Sequence, residues 1–370
     1  MRADSIGIYV HIPICIKKCN YCDFCSYPEA DFLQRSEYIS KLCEEILSYK
    51  GKNIRVNSIF FGGGTPSLLT ASEFSSITHC IREAFLVDAD VEFTVEANPG
   101  TITENILIAY RELGVNRLSM GLQSVNDCEL KCLGRIHSYD TFLHNYQLCR
   151  RLGFNNVNID VMYGIPYQTV ESFSNTLRTV IDLKPEHLSM YGLIIEDNTD
   201  FYKRVSSLNL PDEDTECDMY YIACDTLHKA GYSHYEISNY ARPGYECRHN
   251  IKYWEMDEYI GFGISAHSFK DHKRFSNSSD INEYITGNGR LSAGLSLDDM
   301  AYEYVMLSLR LKKGFSLEDY RMKFNSEFTV GREDLILKFK EAGLLKISNG
   351  RIALTEKGFY VSNHIISELI

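Results

Sequence analysis

"GIYVHIPICIKKCNYCDFCSYP", residues 7–28, joins an apolar run to a loop with four cysteines in eleven residues, Cys15 to Cys25. The run "GIYVHIP" (7–13) reads as a buried strand, rich in β-branched and aromatic residues and bounded by Gly and Pro. Cys15, Cys19 and Cys22 then follow the spacing C-x3-C-x2-C. A tetrahedral zinc site takes four ligands, usually in two pairs. Three thiolates on one short loop suit a cubane iron–sulfur cluster better. Four cysteines are the norm for such clusters. With three, one iron keeps an open position at which a small molecule can chelate. Cys25 could be a fourth ligand, and would then close that position.

Five more apolar runs read as strands: "SIFFGGG" (58–64), "EFTVEANP" (92–99), "RLSMGLQS" (117–124), "VNIDVMYGIP" (157–166) and "HLSMYGLIIE" (187–196). Helical segments lie between them, over 31–50, 72–85, 103–114, 139–153 and 169–184, with apolar residues three and four apart. Thr103 is placed to cap one of them, and Gly114 and Gly153 to end two. Strands alternating with helices imply parallel pairing and right-handed crossovers. The expected fold is α/β, a partial (βα)6 barrel of TIM type over 1–204. Chemistry in such barrels gathers at the C-terminal strand ends. Cys15, Gly62 to Thr65, Glu96 to Pro99, Gln123 and Asp160 all fall in or after strands.

Residues 205–292 read as a loop-rich extension on the barrel, with a helix near 216–231. Residues 293–370 read as helices and a hairpin, a small winged-helix-like α+β domain. Its turn, Asn349-Gly350, suits type I′ geometry. Eleven Lys/Arg balance eleven Asp/Glu over this stretch, which favours packing or a lid over DNA binding. The whole chain has 370 residues and a formal net charge of −12, so a nucleic-acid partner is not expected. No run reaches the length of a membrane span, and the N-terminus lacks the pattern of a signal peptide. A cytoplasmic, reducing setting is expected, with peripheral membrane association left open. There, clustered cysteines hold metal or do chemistry, and the eight scattered ones act as small hydrophobes.

The cysteine spacing resembles that of the radical S-adenosylmethionine (SAM) superfamily. There the open iron of a [4Fe–4S] cluster binds the amino and carboxylate groups of SAM. An electron from the cluster then releases a 5′-deoxyadenosyl radical. "FFGGGTPS" (60–67) is similar to the superfamily's glycine motif. "VEANPGT", "NRLSMGLQSVND", "LGRIHS", "NIDVMYGIPYQT", "YEISNYARPGYECRHNIKYW" and "GFGISAHS" extend the likeness to nearly the whole chain. They resemble the oxygen-independent coproporphyrinogen III oxidase family, and within it the HemW branch of heme chaperones.

That resemblance implies roles. Cys15, Cys19 and Cys22 would hold the cluster. Tyr9 would pack by SAM and Tyr21 lie near its adenine. Gly63, Gly64 and Thr65 would lie in the glycine motif, and Glu96 would bind the ribose hydroxyls. Gln123, Arg135 and Asp160 would line the same cavity. Other readings stay open for three of these: Asp160 as a partner of Arg135, Gln123 as a strand cap, Tyr21 as loop packing. His11 reads as positioning the cysteine loop. His249, Asn250 and Tyr253 match an H-N-x-x-Y motif tied to heme. Imidazole is a common axial ligand, although a His in a polar loop is the plainer reading.

The resemblance implies a heme chaperone that uses a [4Fe–4S] cluster and SAM, binds heme and delivers it to an apo-hemoprotein. The alternative is coproporphyrinogen III oxidase activity, or another radical reaction on a tetrapyrrole. Two departures weaken that alternative. The oxidases place a fourth cysteine as C-x-C, where this sequence reads Cys22-Asp-Phe-Cys25. They also carry a longer segment ahead of the residue matching Tyr9. A carbon radical needs a sealed site.

Overall fold

The computed structural model describes residues 5–29 and 32–370. The start of the helix expected from Asp31, and the first four residues, lie outside them. The six expected strands form: β1 (Ser5–Ile12), β4 (Arg55–Gly63), β5 (Leu86–Ala97), β6 (Arg117–Gln123), β7 (Val157–Tyr163) and β8 (His187–Gly192). Each pairs in parallel with the next. Two short strands, β2 (Ile14–Cys15) and β3 (Tyr27–Pro28), pair with each other and pinch the base of the cysteine loop.

Helices α1 (Arg35–Leu47), α2 (Ala71–Ala84), α3 (Glu104–Glu112), α5 (Tyr139–Arg151) and α6 (Val170–Asp182) cross between the strands. A short α4 (Asp127–Cys132), absent from the sequence reading, follows β6. The caps are local chemistry. Thr70, Thr103, Ser138 and Thr169 each accept a backbone N–H two or three residues into the helix they start. Leu42, Phe74, Ile77, Leu107, Phe142 and Leu177 on these helices are buried against the strands. Every residue of β6 is buried, as both faces of a barrel strand are covered.

The stretch read as loop-rich departs from expectation. After α7 (Asp200–Lys203) and α8 (Glu213–Lys229) it carries six short strands. β9 (Ser233–Glu236) and β10 (Asn239–Ala241) extend the sheet beyond β8. Beyond α9 (Arg248–Trp254), β11 (Tyr259–Phe262) pairs in parallel with β1, and β12 (His267–Lys270), β13 (Lys273–Ser276) and β14 (Leu291–Gly294) continue outward. The result is one twelve-stranded sheet, order β14-β13-β12-β11-β1-β4-β5-β6-β7-β8-β10-β9. These strands have four residues or fewer, too short to show a period before their neighbours are known.

The C-terminal region holds helices around a three-stranded sheet of Phe315–Ser316, Arg351–Leu354 and Leu345–Ser348. Its hairpin turns at Asn349 and Gly350, with φ of +51° and +70°, the double positive φ of a type I′ turn. Tyr220 on α8 donates to the Glu356 carbonyl, tying this region to the barrel.

Candidate functional site

Inward residues alternate along each strand. On β6 they are Arg117, Ser119, Gly121 and Gln123; on β7, Asn158, Asp160 and Met162; on β8, Ser189 and Tyr191. They surround one cavity of about 500 Å³. Cys15, Cys19, Cys22, Tyr9, Tyr21, Gly63, Gly64 and Thr65 line it, and so do Glu96, Arg135, His249, Asn250 and Tyr253. Residues from seven sequence segments, singled out separately, thus share one space.

The cysteine loop is held from outside. His11 Nε2 donates to the Cys25 carbonyl at 2.7 Å, leaving Nδ1 to accept from the Tyr9 hydroxyl 3.1 Å away. His11 therefore positions the loop. Asn20 donates to the Cys132 carbonyl, and its backbone N–H to that of Leu133. Gly134 makes room for this: a Cβ there would lie 2.7 Å from Asn20 Oδ1. The next residue, Arg135, places Nη1 3.6 Å from Cys19 Sγ while Nη2 binds Asn98 Oδ1 and the Gly121 carbonyl. "LGRIHS" thus braces the loop from below.

The glycine turn serves the same end. A Cβ on Gly64 would lie 2.7 Å from the Ile14 carbonyl and 3.0 Å from Cys15 Sγ. Gly63, at φ +108°, leaves space for the His11 ring. Thr65 Oγ1 stands 3.6 Å from Cys15 Sγ and accepts from Asn98.

The chemistry of the donors fits an iron–sulfur cluster. Burial pushes the Cys15 thiol up and the Cys22 thiol up to about 11, and each feels the neighbouring sulfurs. Among the described residues no three His, Cys, Asp or Glu close on a point as a single ion requires. A cube gives each thiolate its own iron instead, and the Arg135 guanidinium stands ready to offset thiolate charge. Cys25 lines no part of the cavity; its thiol faces the Ser279 carbonyl at 3.9 Å.

Deeper in, Glu96 Oε2 accepts the Gly63 N–H at 3.3 Å. Burial, then the charge of Asp160, raises its carboxyl to about 8. Asp160 is also raised by burial. Its hydrogen-bond partners are Asn158, at 2.7 Å, and Ser189; Arg135 reaches it through charge alone. Gln123 ends β6 at φ +73°, a backbone region that few non-glycine residues take.

His249 lines the cavity with its ring held on both sides. Nδ1 lies 3.0 Å from Ser58 Oγ and Nε2 lies 2.8 Å from the Tyr253 hydroxyl, with the ring stacked on Phe60. Burial holds the imidazole neutral, down to about 3. It is 1% exposed, and both ring nitrogens are hydrogen-bonded. The H-N-x-x-Y stretch is not a polar loop but helix α9, which closes the barrel floor. Glu92 fixes that helix by accepting the Arg248 and His249 N–H groups at 2.9 and 3.0 Å. Sequence reasoning missed Glu92 and Arg117. Counting back in twos from Glu96 and from Gln123 reaches both.

A barrel with a three-cysteine loop and a glycine turn over one cavity is the architecture of a SAM-binding radical protein. The model of the radical SAM superfamily matches residues 9–180, and that of the HemN C-terminal domain matches 295–361. The protein named heme chaperone HemW of Lactococcus lactis is 35% identical over 98% of this chain and 96% of its own. Those of Escherichia coli (40% over 72% of this chain and 71% of that one) and Bacillus subtilis (32% over 98% of both) are also similar. The solved structure of coproporphyrinogen III oxidase (HemN) from Escherichia coli, a radical SAM enzyme, superposes with a TM-score of 0.87 at 26% identity, covering 99% of this chain and 90% of that one. The chain belongs to the radical SAM superfamily and, within it, to the family of the HemW heme chaperones. Membership brings a [4Fe–4S] cluster and SAM as its cofactors. Among the described residues no helix is long and apolar enough to cross a membrane.

Proposed function

We propose that the protein is a heme chaperone: it binds heme and passes it to an apo-hemoprotein, with a [4Fe–4S] cluster on Cys15, Cys19 and Cys22 and SAM beside it. The observation that carries this is the full-length likeness to the HemW relatives, joined to a cavity that gathers the expected SAM residues. The bound cluster would supply an iron for SAM to chelate and an electron when reduced. The protein's own part is to hold SAM by Glu96, Gln123 and the glycine turn, and to keep the loop in place through His11 and Arg135.

A volume of about 500 Å³ lies within the range for one drug-sized ligand, and toward its lower end. Heme and SAM therefore would not both sit wholly inside. Heme ligation by His249 would require breaking its bond to Tyr253 or Ser58. Membrane contact, if the recipient is membrane-bound, would be peripheral. None of the twelve cysteines is paired in a disulfide, which suits a cytoplasmic setting.

The likeness to HemN supports a second reading, radical decarboxylation of a porphyrinogen. Anaerobic reconstitution followed by two assays separates them. The first reading expects stoichiometric heme uptake and transfer to an apo-hemoprotein, with little 5′-deoxyadenosine formed on coproporphyrinogen III. Substrate-dependent 5′-deoxyadenosine and carbon dioxide would favour the oxidase.

A further inference from the structure

The barrel floor holds one charged side chain without a role in any of the above. Arg117, the first residue of β6, is 2% exposed and lines the cavity. Its Nε has no hydrogen-bond partner among the described residues. The carboxyl groups whose charge couples to it, Glu92, Asp160 and Glu96, are turned to other donors. Glu92 holds the N–H groups of Arg248 and His249, and Asp160 holds Asn158. Most other polar groups at this level are partnered among the described residues; the Thr94 hydroxyl, opposite Arg117 on β5, is not. His187 lies between Asn158 Oδ1 (2.6 Å) and the Tyr235 hydroxyl (2.8 Å), and His249 between Ser58 and Tyr253. Arg135, by contrast, has both terminal nitrogens engaged. A guanidinium offers five donors and stays charged, and burying it unpaired is costly.

We infer that Arg117 anchors a carboxylate-binding subsite at the inner end of the cavity. A carboxylate carries one charge and two oxygens, matching one guanidinium by a two-point contact. A phosphate dianion would bring a second charge into a space lined by Asp160 and Glu96. The inference deepens the proposed function and rests on it for the ligand's identity. SAM's carboxylate belongs at the cluster end. Arg117 lies six residues below Gln123 on β6, roughly 20 Å at about 3.3 Å per residue. The propionate arm of a tetrapyrrole is the better source.

The test uses cluster-loaded protein, wild type and Arg117→Met, titrated with heme, heme dimethyl ester and SAM. Wild type should prefer heme over its diester by roughly tenfold or more, and Arg117→Met should lose that preference with SAM affinity unchanged. Loss of SAM affinity instead would keep the subsite and assign it to SAM's carboxylate. A folded, cluster-bearing Arg117→Met protein that retains both the heme preference and SAM affinity overturns the inference. If that variant fails to fold, wild type alone decides: sodium propionate should raise its Tm and propionamide should not. Equal effects of the two would overturn the subsite. Wild type that binds no heme refutes the chaperone reading, while the propionate comparison still judges Arg117.

Discussion

The two ends of the cavity are built on opposite plans. At the mouth, backbone and side chains brace a loop whose own thiols are left without strong partners. Asn20, His11, Gly64 and Arg135 fix the loop, while Cys15 and Cys22 are held protonated by burial. At the floor the polar groups are spent on one another. Glu92 caps α9, His249 is held on both sides, and His187 joins Asn158 to Tyr235. Among the described residues Arg117 and its β5 neighbour Thr94 are exceptions. A motif residue can thus also carry the scaffold, and a buried arginine outside the motif residues can be left without a protein partner. What separates them is whether the donors are already satisfied.

The largest expected break is at the mouth. Cys19→Ala removes one of three cluster ligands and should abolish the visible iron–sulfur absorbance and most bound iron. Because the loop is braced by its backbone and by Asn20, the apoprotein's Tm should hardly move. Retained cluster in this variant would mean that another residue fills the corner.

At the floor the outcome should reverse. Glu92→Ala leaves two N–H groups of α9, that of His249 buried, without an acceptor and should cost about 2–4 kcal/mol in denaturant unfolding. Iron content after reconstitution should stay at the wild-type level. Loss of cluster with little loss of stability would show that the two ends are not independent.

Much of the fold was legible because its signals are local. The six barrel strands are apolar runs, their helices carry a clear period, and Thr103 and Gly114 mark ends that the structure keeps. The strands from Ser233 to Gly294 were not legible. β11 exists because β1 offers it an edge some 250 residues away in sequence, and four residues cannot announce that. At the site, thiols and clustered glycines are chemically distinctive, so the mouth could be read. Glu92 and Arg117 are common charged residues; burial inside the barrel gives them meaning. His249 was read as a loop residue because α9 is a seven-residue helix without a side-chain cap of its own.

Glu96 lies between the two ends, and its titration sharpens the contrast. Its carboxyl ionises near 4.5 when free and near 8 when folded, raised by burial and by Asp160. Between those values the folded chain keeps a proton that the unfolded chain has lost. Stability should therefore fall as pH rises from about 4.5 to about 8 and then level. Glu96→Gln removes this dependence. Its gain over wild type, measured without SAM, should be near zero below that window and reach about 3–5 kcal/mol above it. A difference that does not vary with pH would mean the carboxyl is not held neutral in the barrel.

The smallest effect is expected at Cys25, and its smallness is informative. This thiol stands in the same loop as the other three, yet it faces the Ser279 carbonyl and touches no part of the cavity. What the loop uses at this position is the backbone carbonyl that receives His11 Nε2, and an alanine supplies that equally well. Cys25→Ala should leave iron per chain, the cluster absorbance and SAM affinity as in wild type. If iron is lost, the loop presents four thiolates to the cluster. No corner would then remain for SAM, and any SAM in the barrel would be bound by Glu96, Gln123 and the glycine turn without the iron.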